Sequence, residues 1–276
     1  MFSPEAVKRR CNGMLPSSAY RRIYDAAARS EVPTLVEVGT GHAAATVCMA
    51  LGLKDSRGSG KVYSFERAEG GSRAKFGGVN ENTQIIQANL DHFGVGSLVE
   101  LVIGDVAVVA HRVPADCEIG MLMLDADGRI DRDILLFYDR MIEGCAVIID
   151  DVANRVRLGR RADGLYVVDQ KHRITHLLLE AMVDRGLLSR GEITQEIYFG
   201  EKLDGNAQDL LPETVLDAYR QLVFGEASLT RRSLKSLLLS VAEFASPRAV
   251  DAYRRRRRRA REVAEAHSAA GTPRQS

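Results

Sequence analysis

Leu35-Val36-Glu37-Val38-Gly39-Thr40-Gly41-His42 is the stretch on which the reading of this 276-residue chain turns. An apolar run carrying one acid ends in two glycines, and Ala43-Ala44-Ala45-Thr46-Val47-Cys48-Met49-Ala50-Leu51 follows. The pattern is strand, tight turn, helix. Glycines there let backbone approach a ligand closely, and the first N–H groups of the helix have no partner within it. The spacing disfavours a pyrophosphate. The dinucleotide fingerprint needs a third glycine where Ala44 stands, and no Gly-Lys-Ser/Thr phosphate loop follows. The next apolar run, Lys61-Val62-Tyr63-Ser64-Phe65, ends in Glu66, and an acid at the end of a second strand suits ribose hydroxyls.

Val36-Glu37-Val38-Gly39-Thr40-Gly41 together with Glu66 resembles motifs I and II of class I S-adenosylmethionine-dependent methyltransferases. The resemblance spans roughly residues 30–202. It implies a Rossmann-like α/β fold with a seven-stranded, mostly parallel sheet whose last strand is antiparallel. It also implies S-adenosylmethionine as cofactor, bound by Glu37, Gly39, Thr40, Gly41 and Glu66, with Asp105 near the adenine. Read locally, Asp105 is equally a cap for the helix after the strand at 98–103. His42 either touches the cofactor or is a surface loop residue.

Downstream, strand and helix patterns keep alternating, the signature of a parallel sheet wrapped by helices. Helices are expected at 83–93, 132–142 and 171–185, and strands at 98–103, 121–124, 145–149 and 193–202. The glycine-rich segment 69–78 reads as a mobile loop or flap. Ligands of such sheets bind beyond the carboxyl ends of the strands. Asp125 follows one of those strands, and Asp150 and Asp151 follow the next.

Three carboxylates meeting at one point repel one another unless a cation intervenes, and oxygen-only ligands favour magnesium or a similar hard divalent ion. Asp125-Ala126-Asp127 and Asp150-Asp151 resemble the metal-dependent O-methyltransferases, in the branch of macrocin O-methyltransferase and cephalosporin hydroxylase-like proteins, where two adjacent acids stand. The resemblance makes Asp125, Asp150 and Asp151 metal ligands. The other reading has Asp125 meeting the sulfonium end of the cofactor while Asp150 and Asp151 cap the next segment. Those families carry a Lys or His base three residues after the first metal acid, and here that place is Gly128. Arg129 stays protonated and makes a poor base. His172, at i, i+4 with His176, is the catalytic base chosen instead, against a structural histidine.

The reading is an enzyme that transfers a methyl group to a hydroxyl of a small molecule of secondary-metabolite type, assisted by Mg2+ or another divalent ion. The rivals are an RNA or protein methyltransferase and a non-methylating protein that retains the fold. Residues 1–30 are read as N-terminal helices covering cofactor or substrate, 31–202 as the cofactor-binding domain, and 203–276 as a helical extension. Residues 230–244 form an amphipathic pattern suited to a homo-oligomer. Residues 246–276 hold nine Arg against three acids, which leaves the rest of the chain mildly acidic. The run Arg254 to Arg259 lacks interleaved aromatics and a recognition module, and an acid-lined site repels phosphates, so nucleic acid is not the expected partner. No apolar stretch reaches the roughly 20 residues of a membrane span, and the four scattered cysteines read as reduced thiols, which fits the cytoplasm.

Overall fold

Ser3 opens the first helix, α1 (Pro4–Arg10), by accepting a hydrogen bond from the Ala6 N–H at 3.2 Å, and Pro16 precedes α2 (Ser17–Arg29). The chain then alternates through β1 (Thr34–Val38), α3 (Ala44–Arg57), β2 (Lys61–Glu66), α4 (Val79–His92) and β3 (Val99–Ile103). It continues through α5 (Val106–Val109), β4 (Ile119–Leu124), α6 (Ile130–Leu135) and β5 (Met141–Ile149). A hairpin of β6 (Arg157–Arg160) and β7 (Tyr166–Asp169) leads into α7 (Lys171–Asp184), β8 (Glu192–Thr194), β9 (Ile197–Glu201) and α8 (Pro212–Phe224). This computed structural model describes residues 2–67, 79–160 and 166–225. All of them lie in the first of two units, Met1–Ser228 and Leu229–Ser276.

Seven strands form one sheet in the order β3-β2-β1-β4-β5-β9-β8, with β9 antiparallel to its neighbours. The side chains alternate as a strand requires. Val36, Val38, Leu122, Leu124, Val147 and Ile149 belong to one apolar layer, completed by α6, α7 and α8. Leu35, Met121, Met123 and Ile148 belong to the other, covered by α1 to α4. Burial on both faces explains why β1 and β4 read as continuous apolar runs. The strand order reverses between β1 and β4, which opens a crevice at their carboxyl ends.

Three expectations need correction. The helix expected at 132–142 ends at Leu135, and β5 begins at Met141, where it pairs with Ile119 across a register shift. The terminal strand expected at 193–202 is two strands joined by Gln195 and Glu196, both at positive φ. A two-residue turn of this kind normally announces itself through Asn or Gly, and neither residue is present. The extension set off from residue 203 begins inside the first unit, because α8 packs its Ala218, Val215 and Leu222 into the sheet's core layer. The glycine-rich segment 69–78, the amphipathic pattern at 230–244 and the arginine run lie outside the described residues.

Candidate functional site

The ends of β1, β2, β4 and β5 are held in line by hydrogen bonds that extend the sheet's ladder into the loops. Gly39 N–H donates to Phe65 O (2.9 Å), Asp125 N–H to Val38 O (2.8 Å) and Asp150 N–H to Leu124 O (2.9 Å). Gly39 has a φ of +100°, and a Cβ there would lie 2.0 Å from the carbonyl oxygen of Asp125. No other residue allows β1 and β4 to end so close together. Beyond the turn, Ala43 takes a φ of 67° and α3 starts with no side-chain cap. The Thr46 N–H, third in the helix, turns to Glu37, while the N–H groups of Ala44 and Ala45 have no partner within the helix and stand at the turn.

A cavity of about 810 Å³ opens over these strand ends. Gly39, Thr40, Gly41, Glu66, Asp105 and the three acids after β4 and β5 all line it, and residues 11–16 between α1 and α2 form part of its wall. The connection between the two N-terminal helices thus forms part of the pocket wall, while the helices themselves pack on the sheet through Val7, Ile23 and Ala27. Glu66 accepts a hydrogen bond from the Gly41 N–H at 3.0 Å. Thr40 Oγ1 lies 2.7 Å from Ser64 Oγ, and Ser64 and Thr46 each donate to Glu37 Oε2 at 2.5 Å. Glu37 is 1% exposed and its Oε1 has no hydrogen-bond partner. Burial raises its carboxyl to about 7, the two hydroxyls offsetting only part of that cost. Asp105 accepts from the Ala107 N–H at 3.0 Å, so it caps α5, and it also faces the cavity with Arg67 3.9 Å away.

Asp125, Asp150 and Asp151 converge as expected, each offering an oxygen within 4.8 Å of the others. Lys171, the first residue of α7, stands among them. Its Nζ lies 2.7 Å from Asp151 Oδ2 and 3.4 Å from Asp125 Oδ1. Burial works against the Lys171 charge, but Asp125, Asp151 and Asp150 outweigh it and raise its pKa. Asp151 is held well below the usual carboxylate range against the cost of its burial, by His172 and Lys171. Burial pushes both Asp125 and Asp150 up; repulsion from Asp151 and Glu37 adds to it at Asp125, and repulsion from Asp125 and Asp151 adds to it at Asp150, with Lys171 working the other way. One ammonium therefore neutralises the cluster only in part.

His172 is placed differently from the expectation. It is 1% exposed, lies outside the cavity lining, and brings Nε2 to 2.7 Å from Asp151 Oδ1 and 3.4 Å from Glu196 Oε2. These are ion-pair distances without hydrogen-bond alignment. It supports Asp151 from behind instead of facing a substrate, because one step along a helix turns a side chain by about 100° from its neighbour. Glu196 is bound in turn by Arg155 and by Arg157, the latter at 3.0 Å.

Sequence reasoning passed over Lys171, and its only signal was its place beside His172. The loop after β4 explains its arrival. Gly128, where the related families keep their base, has a φ of +86°, and a Cβ there would sit 3.1 Å from Ile174 Cγ2, Lys171 O and Thr175 Oγ1. The glycine lets the first turn of α7 close onto this loop, and that turn carries a lysine into the acid cluster.

The cavity fits an adenosyl amino acid: a glycine turn, an uncapped helix start, an acid at the end of β2 and room for the whole molecule. The three carboxylates fit a hard divalent ion by donor type, with Lys171 as a competing cation.

Residues 36–152, somewhat under half of the chain, match the model of a family described as a methyltransferase domain. No curated protein matches the sequence. Among solved structures, a Staphylococcus aureus protein described as a caffeoyl-CoA O-methyltransferase is similar at 14% identity and a TM-score of 0.54, over 73% of this chain and 93% of that one. An O-methyltransferase of Bacillus cereus, solved with S-adenosylhomocysteine, is similar at 14% identity and a TM-score of 0.53, over 72% and 90%. The likeness to the O-methyltransferase TomG of Streptomyces achromogenes, involved in tomaymycin synthesis, has 15% identity and a TM-score of 0.43; it spans 53% of this chain and 64% of TomG.

Proposed function

We propose that this chain, a class I methyltransferase by its fold and by the domain at residues 36–152, transfers a methyl group from S-adenosylmethionine to a hydroxyl of a small molecule, assisted by a divalent ion. The observation that carries the reading is the convergence of the glycine turn, Glu66 and the three carboxylates on one cavity. Bound there, the cofactor supplies an electrophilic methyl group on a sulfonium, and the ion supplies Lewis acidity toward an acceptor hydroxyl.

The chain's own residues divide the remaining work. The turn 39–41 and the start of α3 receive the amino-acid end of the cofactor, Glu66 its ribose hydroxyls, and Asp105 the neighbourhood of the adenine. Asp125, Asp150 and Asp151 hold the ion, and Asp125 also faces the cofactor. His172 positions Asp151. Met14, Leu15 and Ile197 give the wall an apolar portion, which suits an acceptor carrying its hydroxyl on a hydrocarbon ring or chain of secondary-metabolite type. Holding cofactor and acceptor in line over the same strand ends is itself a large part of catalysis.

The test is calorimetric titration of metal-stripped protein with S-adenosylhomocysteine, repeated with Mg2+ and with Asp150→Ala, followed by methyl transfer to a panel of hydroxylated metabolites. The reading expects binding of the cofactor product, Mg2+ heat that disappears in the variant, and turnover of at least one acceptor. Cofactor binding without any Mg2+ heat would remove the ion from the reading. Among the described residues no helix is long and apolar enough to cross a membrane.

A further inference from the structure

We propose that Lys171 is the resident counter-ion of the acid cluster, and that a divalent ion enters by displacing its ammonium from Asp125 and Asp151. The proposal rests on the metal site proposed above and adds what that site must do to be filled.

The oxygens decide the matter. Asp151 Oδ2 faces Lys171 Nζ at 2.7 Å and Asp151 Oδ1 faces His172 Nε2 at 2.7 Å, so each oxygen already has a partner and an ion bound there must share it with the ammonium or the imidazole unless one of them leaves. Asp125 Oδ1 is also turned to the ammonium, at 3.4 Å. Of the two partners of Asp151, only one can leave. His172 is 1% exposed and sealed behind the cluster. Lys171 lines the cavity, its side chain is 23% exposed, and a flexible four-carbon stem joins it to the helix.

Its backbone, by contrast, is fixed. Lys171 N–H donates to Asp169 Oδ1 at 3.0 Å, its carbonyl accepts from Thr175 Oγ1 at 2.8 Å, and the Gly128 loop packs against it. The head can swing while the stem's origin stays. An ammonium and a divalent ion held on the same oxygens would place three positive charges within a few ångströms, so the two exclude each other. Exchange keeps the cluster partly neutralised before the ion arrives, and it sets the ion's affinity through the strength of the lysine pairs.

The experiment is Mn2+ titration of the full-length, metal-stripped protein by calorimetry, comparing wild type with Lys171→Met and Lys171→Gln. Loss of the competing charge is expected to tighten Mn2+ binding about tenfold or more in both variants. In metal-free buffer the variants should melt below wild type, and Mn2+ should raise their Tm by more than it raises that of wild type. Should neither variant fold, the wild type carries the test: Mn2+ displacement should increase acylation of Lys171, followed by peptide mass mapping. Variants that bind Mn2+ no more tightly than wild type, or Lys171 acylation unmoved by saturating Mn2+, would overturn the displacement while leaving the metal site standing. Absence of Mn2+ binding in every form would overturn both, so the two failures are told apart by the wild-type titration.

Discussion

A methyl group on Gly39 would meet the Asp125 carbonyl oxygen at 2.0 Å on a backbone already at positive φ. Gly39→Ala is therefore expected to cost about 2–4 kcal/mol of stability and to abolish S-adenosylhomocysteine binding, as read by denaturant unfolding and calorimetry. This residue was legible because the turn's demand is local and only glycine meets it. Glu37 was legible as a residue and less so as a role. Its carboxylate is spoken for by Thr46 and Ser64, and its raised pKa makes a distinct prediction. Between its ordinary value of 4.5 and about 7, the folded state keeps a proton that the unfolded chain releases. Stability thus falls as pH rises through that window and levels off above it. Glu37→Gln should remove this share, so that wild type loses about 2–3 kcal/mol more than the variant between pH 4.5 and 7. Asp125 and Asp150 are raised for similar reasons and titrate in both proteins, and because Glu37 also pushes Asp125 up, the difference between the two curves carries Glu37 together with its repulsion of Asp125.

Helices α1 and α2 show how an element far from the chemistry shapes the site. The Leu15 N–H donates to the buried Tyr20 hydroxyl at 3.3 Å, tying the cavity-wall segment 11–16 to the body of α2. Tyr20→Phe leaves that buried N–H without its acceptor. It should cost about 1 kcal/mol in unfolding experiments and weaken S-adenosylhomocysteine binding several-fold while the sheet stays intact. The capping of α1 by Ser3 and the start of α2 after Pro16 were readable, since caps are written in adjacent residues. The β8–β9 turn was not. Gln195 and Glu196 carry no turn signature; Glu196 is held there by Arg155, Arg157 and the Val152 N–H, groups 39 to 44 residues earlier in the chain. At the far end of the helix expected at 132–142 the cause is similar, because pairing of Met141 with Ile119 draws Met141 and Ile142 into β5, where helical periodicity alone leaves them in a helix.

For the whole molecule, every described residue that lines the cavity falls between Cys11 and Ile197, inside the unit that ends at Ser228. A chain ending at Ser228 is expected to fold and to bind S-adenosylhomocysteine as tightly as the full protein, which calorimetry on the two proteins checks. A clear loss of affinity would give residues 229–276 a part in the site. The amino-acid sequence by itself determined the class of sheet, the glycine turn, the acids at the strand ends and the absence of a pyrophosphate loop. Each is dictated by hydrophobic period, by backbone conformation or by residues next to one another. Only the tertiary structure decided which cation stands among those acids. Lys171 is 46 residues from Asp125 and 20 from Asp151, and it reaches them because Gly128 lets the first turn of α7 close against the loop after β4. The same packing turned His172 into a support behind Asp151, since a helix presents adjacent residues to different surroundings and only the elements packed around it choose which one meets the cavity.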